Sequence, residues 1–125
     1  MYKILAVDDE VEICRIVHTF LTKKGYAVTN VNSAEQALEL LDKEKFDLMV
    51  IDKKMPGIGG MGLLRKLKET ENATPVIILT GSRDLPETTE EIEAIGFDDF
   101  LFKPIDLTVL LERVNKRIAE SKKNG

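Results

Sequence analysis

Leu48-Met49-Val50-Ile51-Asp52, followed at once by Lys53-Lys54-Met55-Pro56-Gly57, sets the fold class of this chain. An apolar run rich in branched residues, closed by a carboxylate and then by Pro and Gly, has the signature of a strand buried on both faces of a parallel sheet. Its last residue then stands at the carboxyl end of the strand. In open α/β sheets that edge is where ligands bind. Asp52 is therefore the leading candidate for the working residue.

Four further runs read as strands. Ile4-Leu5-Ala6-Val7 is ended by Asp8-Asp9-Glu10, and Pro75-Val76-Ile77-Ile78-Leu79 by Thr80-Gly81-Ser82. The segment from Asp98 to Phe102 is closed by Lys103-Pro104, and Tyr26 to Val31 alternates more, as a strand nearer an edge does. Between these runs the period becomes helical. From Glu10 to Lys24 the apolar positions are Ile13, Ile16, Val17, Phe20 and Leu21, with Asp8 or Asp9 as the expected cap and Gly25 as the stop. Ser33 and Gln36 form a capping box ahead of Ala37, Leu38, Leu40 and Leu41. Gly57, Gly59, Gly60 and Gly62 predict a flexible loop, then a helix carrying Leu63, Leu64 and Leu67. Pro86 to Ile95 reads as an acidic helix with a thin apolar stripe, ended by Gly96. Asp106 is a natural N-cap for a last helix reaching about Glu120. Five strands alternating with five helices predict an α/β fold, a doubly wound parallel sheet with helices on both faces. The expected domain covers residues 1–121, with a polar tail at 122–125.

The 125 residues suit one domain, and 43% hydrophobic with 32% charged residues allow both a core and solubility. A formal net charge of -4 disfavours direct nucleic-acid binding, which needs a basic surface. The single cysteine, Cys14, excludes an internal disulfide and fits a reducing compartment. Met1 to Leu5 runs straight into the first strand without a signal peptide, and no apolar run approaches membrane-spanning length. A cytoplasmic domain is expected. Cys14 and Met49 read as packing residues, His18 as a surface or boundary residue, and the lysines from 116 to 123 as a solvated helix face.

If the strands are parallel, Asp8, Asp9, Asp52, Thr80 and Lys103 share one sheet edge. Three carboxylates there repel one another and lose hydration. A hard divalent cation relieves both effects, and oxygen ligands without Cys or His favour Mg²⁺. Mg²⁺ commonly shares its shell with a phosphoryl group, for which a lysine and a hydroxyl are suitable neighbours. The residues together suit phosphoryl transfer onto a carboxylate to give an aspartyl phosphate.

Taken together, the acidic pair Asp8-Asp9, Asp52 with Met55-Pro56 and Gly60, Thr80-Gly81, and Gly96 to Pro104 resemble the receiver domains of two-component response regulators. The resemblance spans Tyr2 to about Ile118. It implies the flavodoxin-like fold with strand order 2-1-3-4-5 and makes Asp52 the phosphoacceptor. Asp9 and Asp52 side chains and the Lys54 carbonyl are implied as Mg²⁺ ligands, with Asp8 acting through water. Lys103 is implied to contact the phosphoryl oxygens, with a cis bond to Pro104. Thr80 and Phe100 are the implied switch pair, and Lys54 and Ser82 border the phosphoryl group and modulate its lifetime. Implied partners are a histidine kinase or phosphotransfer protein, an output domain or target protein, and a phosphorylation-dependent second copy. The expected output face is the acidic segment with the fifth strand and last helix.

Lys54 departs from the family, where that position is more often apolar or small and polar. Three other functions are weighed. An aspartate-nucleophile phosphatase of the haloacid-dehalogenase type usually carries a second Asp where this chain has Lys54. An unphosphorylated interaction module usually lacks an acidic, Thr or Lys position that is present here. A flavin protein needs a phosphate-binding loop where this chain has Asp8 and Asp9. No output module is visible in the sequence, so a stand-alone domain and the first domain of a longer protein both remain open.

Overall fold

Strand β3 (Leu48–Asp52) occupies the middle of the sheet, and every one of its residues is buried. The computed structural model describes residues 1–55, 57–81 and 99–124. Around β3 lie β1 (Lys3–Val7), β2 (Ala27–Val31), β4 (Val76–Thr80) and β5 (Asp99–Phe102), all parallel, in the order β2-β1-β3-β4-β5. The described helices are α1 (Val11–Lys23), α2 (Ala34–Leu41), α3 (Gly59–Glu69) and α4 (Leu107–Asn124). The expected acidic helix at 86–95, its Gly96, and Pro56, Ser82 and Asp98 lie outside the described residues.

Side chains alternate along each strand and feed two cores. Leu5, Val7, Met49, Ile51 and Ile78 pack with Ala34, Ala37, Leu63, Leu64 and Leu67 of α2 and α3. Ile4, Ala6, Leu48, Val50, Ile77 and Leu79 pack on the other face with Val17, Leu21, Leu110, Val114 and Ile118 of α1 and α4. The near-continuous apolar runs of β1, β3 and β4 follow from this two-sided burial. Strand β2 is an edge strand, half-buried along its length, as its stronger alternation predicts.

Local chemistry accounts for most boundaries. Helix α1 ends in a Schellman turn: Gly25 at φ +97° donates to the Thr22 carbonyl, and Tyr26 donates to Leu21. At α2 the Ser33 hydroxyl accepts from the Gln36 N–H at 3.1 Å. The Gln36 amide oxygen returns to the N–H of Asn32, one residue before the box position. Asp106 caps α4, accepting from Thr108 and Val109. That helix runs to Asn124, past the expected end near Glu120, because neither Gly nor Pro interrupts it before Gly125.

Two sequence expectations change. Neither Asp8 nor Asp9 is the N-cap of α1; Glu10 holds that position without a side-chain cap. Asp8 Oδ1 instead accepts from the Glu10 N–H at 2.9 Å, a turn within the acidic segment. The glycine-rich stretch is not a loop throughout, since α3 already begins at Gly59. Gly60 serves close approach: a Cβ there would sit 2.2 Å from the Asp52 carbonyl oxygen. The first turn of α3 thus lies directly against the end of β3.

Gly60→Ala tests that contact. Ala normally favours a helix interior by up to about 1 kcal/mol. Here backbone meets the new methyl, so a net loss of about 1–3 kcal/mol is expected from the urea unfolding midpoint. A stabilised variant would contradict the close approach.

Candidate phosphoryl-transfer site

At the carboxyl edge of the sheet, the strand ends bring Asp8, Asp52, Thr80 and Lys103 into one place. Parallel register is the cause: Val7 pairs with Ile51, Asp52 with Leu79, and Thr80 with Phe102. Asp8 and Lys103 each follow immediately on a strand, while Asp52 and Thr80 are the last strand residues. The main chain is tied at the same points, with Lys53 donating to Leu79 at 2.8 Å and Lys103 to Thr80 at 2.7 Å.

Among the described residues, Asp8, Asp52 and Thr80 are the buried polar ones, at 3%, 4% and 1% exposure. The Lys103 ammonium is half-buried among carboxylates: 3.3 Å from Asp52 Oδ1, 3.5 Å from Asp8 Oδ2 and 3.0 Å from Glu10 Oε1. Oxygen atoms of Asp8, Glu10 and Asp52 all lie within 4.8 Å of one another. The Lys103 ammonium by itself does not balance three like charges. Burial, reinforced by the Asp8 charge, pushes the Asp52 carboxyl up to about 7, against the pull of Lys103. Burial likewise raises Asp8. For Lys103, burial favours loss of its proton, but Glu10, Asp52 and Asp8 together outweigh this and hold it above the ordinary lysine value.

The cluster fits a hard cation on its own evidence. Asp8 Oδ2 is buried and accepts no hydrogen bond; its 3.5 Å ion pair with Lys103 is shared with Asp52 and Glu10, so a further positive charge beside this oxygen would be favourable. The donors are all oxygen, as Mg²⁺ or Ca²⁺ requires.

Other expected site residues fall as follows. Asp9 is exposed, and the close carboxylate trio contains Glu10 in its stead. Lys54 is exposed at the lip. The Thr80 hydroxyl donates to the Gly81 carbonyl at 3.4 Å. Phe100 is partly buried, packing edge-to-face on Phe102 with ring centroids 5.1 Å apart. The Lys103–Pro104 bond is cis. Ser82 is outside the described residues. Sequence reasoning missed Glu10. Its available signal was its place as the third consecutive acid, at the very start of the helical stretch; in the fold its side chain reaches Lys103 at 3.0 Å.

The raised Asp52 carboxyl has a definite pH consequence. Its folded value, about 7, lies above the ordinary 3.8, so between those values the folded state holds a proton that the unfolded chain has lost. Stability of the metal-free protein is therefore expected to fall as pH rises from about 4 to about 7, and to stay low above that. Asp52→Asn should reduce this slope, leaving the part due to Asp8, and be more stable at pH 8 by on the order of 1–3 kcal/mol. Urea titrations at pH 6 and 8, with chelator, check both.

Comparison with known proteins agrees with this geometry. The family model described as "Response regulator receiver domain" matches residues 4–115. The chain is 35% identical over 121 residues to the regulatory protein VanR of Enterococcus faecium, covering 97% of this chain and 52% of that one. It is 39% identical over 121 residues to the protein PetR of Rhodobacter capsulatus, covering 94% and 50%. The chain thus spans about half the length of these curated relatives. Among solved structures, a CheY-like receiver domain protein from Methanospirillum hungatei superposes with TM-score 0.93 at 30% identity, covering 100% of this chain and 99% of that one. The Francisella response regulator 1452 receiver domain gives TM-score 0.90 at 31% identity, covering 97% and 99%. With its sheet order, its acidic edge and the paired lysine in agreement, the chain belongs to the receiver domains of two-component response regulators.

Proposed function

We propose that Asp52 accepts a phosphoryl group, with Mg²⁺, from a phosphohistidine of a histidine kinase or phosphotransfer protein. The observation that carries this is the Asp52 carboxylate, buried at the sheet edge with Lys103 3.3 Å from its Oδ1. In the transfer, an Asp52 oxygen forms the new P–O bond as the P–N bond to the donor imidazole breaks. Lys103 meets the negative charge on the phosphoryl oxygens, and burial strengthens that attraction. Mg²⁺ would offset the repulsion between the carboxylates and the incoming phosphoryl group. Asp9 and Asp52 would hold it through side chains, Lys54 through its carbonyl, and Asp8 through water. Thr80 and Phe100 then read the change, and the face that carries β5 and α4 passes it on.

An apolar groove lined by Ile13, Ile16, Val17, Ile105 and Leu107 opens beside Glu10 and Lys103 and supports a protein as donor. Phe102, 40% exposed on β5, supports a phosphorylation-dependent contact with a second copy or a target. The domain acts in the cytoplasm; no described helix is long and apolar enough to cross a membrane. It is a signalling module that promotes its own phosphorylation and dephosphorylation, without turnover of small phosphoesters. The phosphatase reading is disfavoured by Lys54, which stands where such enzymes usually carry their acid.

Incubation with acetyl phosphate and Mg²⁺ is expected to add about 80 Da to the native chain, the mass of one phosphoryl group on a carboxylate. Asp52→Asn should gain nothing. A gain that survives the substitution would sink the assignment.

Lys54 and Ser82 are proposed to tune the lifetime of that group. Removing the Lys54 charge with Lys54→Met is expected to tighten Mg²⁺ binding by about two- to fivefold, the modest effect of an exposed charge. Calorimetric titration of both proteins checks it, and unchanged affinity would place the ammonium out of reach of the cation.

A further inference from the structure

Two like charges that face each other out of water separate unless the backbone beneath them is held. Asp8 is a case in point. Its Oδ1 is engaged by the Glu10 N–H at 2.9 Å, while Oδ2 is buried without a hydrogen bond on the side of Asp52 and Lys103. Rotation of the peptide that follows β1 would carry this carboxylate outward into water.

Three elements oppose that rotation at the main chain of Asp8. Its N–H donates to the Val31 carbonyl of β2 at 3.2 Å. Its carbonyl oxygen accepts twice: from the Cys14 thiol of α1 at 3.1 Å and from the Asn32 amide nitrogen at 3.2 Å. The two donors also touch, with Asn32 Nδ2 3.8 Å from Cys14 Sγ. Each is anchored in turn. The Asn32 backbone N–H donates to Gln36 Oε1 of α2 at 2.8 Å, and the Asn30 amide holds the Cys14 carbonyl at 3.1 Å. Burial and nearby carboxylates raise the Cys14 thiol, so it keeps its proton and acts as a donor.

We propose that Asn32 and Cys14 form a bracket that holds the Asp8 carboxylate toward Asp52 and so preorganises the acidic cluster for a divalent cation. Both are positioning residues; neither touches the cation. The inference rests on the proposed Mg²⁺-dependent reading of this site and adds the residues that hold its shape. Groups behind the ligands commonly set metal affinity by tenfold or more, because they fix ligand orientation before the ion arrives. The bracket also differs from an ordinary loop contact in its effect on stability. It maintains a repulsive arrangement, so its loss removes hydrogen bonds and relieves repulsion together.

The test is Mg²⁺ titration of the whole chain by calorimetry at pH 8, beside thermal melts in chelator. Asn32→Ala and Cys14→Ala are each expected to weaken Mg²⁺ binding about tenfold. Their metal-free melting temperatures should stay within about 2 °C of the parent, a shift that corresponds to well under one ordinary stabilising contact. Cys14→Ser keeps a donor at the same position and should retain the parent affinity. Any other pattern overturns the bracket, including parent-like affinity in both alanine variants or a loss accompanied by marked destabilisation. If the parent binds Mg²⁺ and the variants do not differ from it, the proposed function stands and only the bracket fails. If the parent itself binds no Mg²⁺, both fail.

Discussion

Repulsion among carboxylates at one sheet edge is the constraint on which this molecule depends. The Lys103 ammonium is shared by Asp8, Glu10 and Asp52, and Asp8 and Asp52 are almost wholly buried. Burial removes the water that would screen them, which is why the Asp52 carboxyl rises to about 7. A folded chain keeps such a cluster only if the rest of the structure holds it rigidly. The two cores on either side of β3 supply that rigidity, and the stored repulsion is released when positive charge enters.

The same constraint explains the local architecture around Asp52. The Cβ-free approach of Gly60 lets α3 start hard against the end of β3. On the other side, β1 ends in a turn whose amide and carbonyl groups are engaged by β2, α1 and the loop ahead of α2. Lys103 is delivered by β5, whose pairing with β4 also places Thr80 at the rim. Each site residue is thus attached to a different strand end, and small shifts of any one strand would register at the acidic cluster. A two-state switch requires this kind of connection between a local charge event and a larger face.

How far the sequence revealed this differs from residue to residue. Asp52 and Thr80 were legible because each ends a long apolar run, and a fully buried parallel strand has few other ways to end. Asp8 and Lys103 were legible by the same logic at the neighbouring strand ends. Glu10 was not, because an acid just before a helix reads as dipole chemistry at the N-terminus. Only the path of the chain from β1 into α1 turns it toward Lys103, 93 residues away. The glycines from 57 to 62 read as a flexible loop for a similar reason. Composition alone does not distinguish glycine needed for mobility from glycine needed for close packing, as at Gly60.

By itself, the sequence determined the parallel α/β sheet, the chain order of its strands, the edge where the acidic residues gather, and the candidate nucleophile. These depend on periodicity and on what terminates a strand, which are local properties. The tertiary structure decided which acids meet, since that depends on the register between strands and on how each chain segment leaves its strand. It decided that Glu10 joins Asp8 and Asp52 and that Asp9 lies exposed outside this trio. It also decided that Cys14 and Asn32 converge on one carbonyl oxygen. Such contacts between distant residues leave no periodic trace, because each needs only one suitable atom brought within about 3 Å by everything else the fold has already placed.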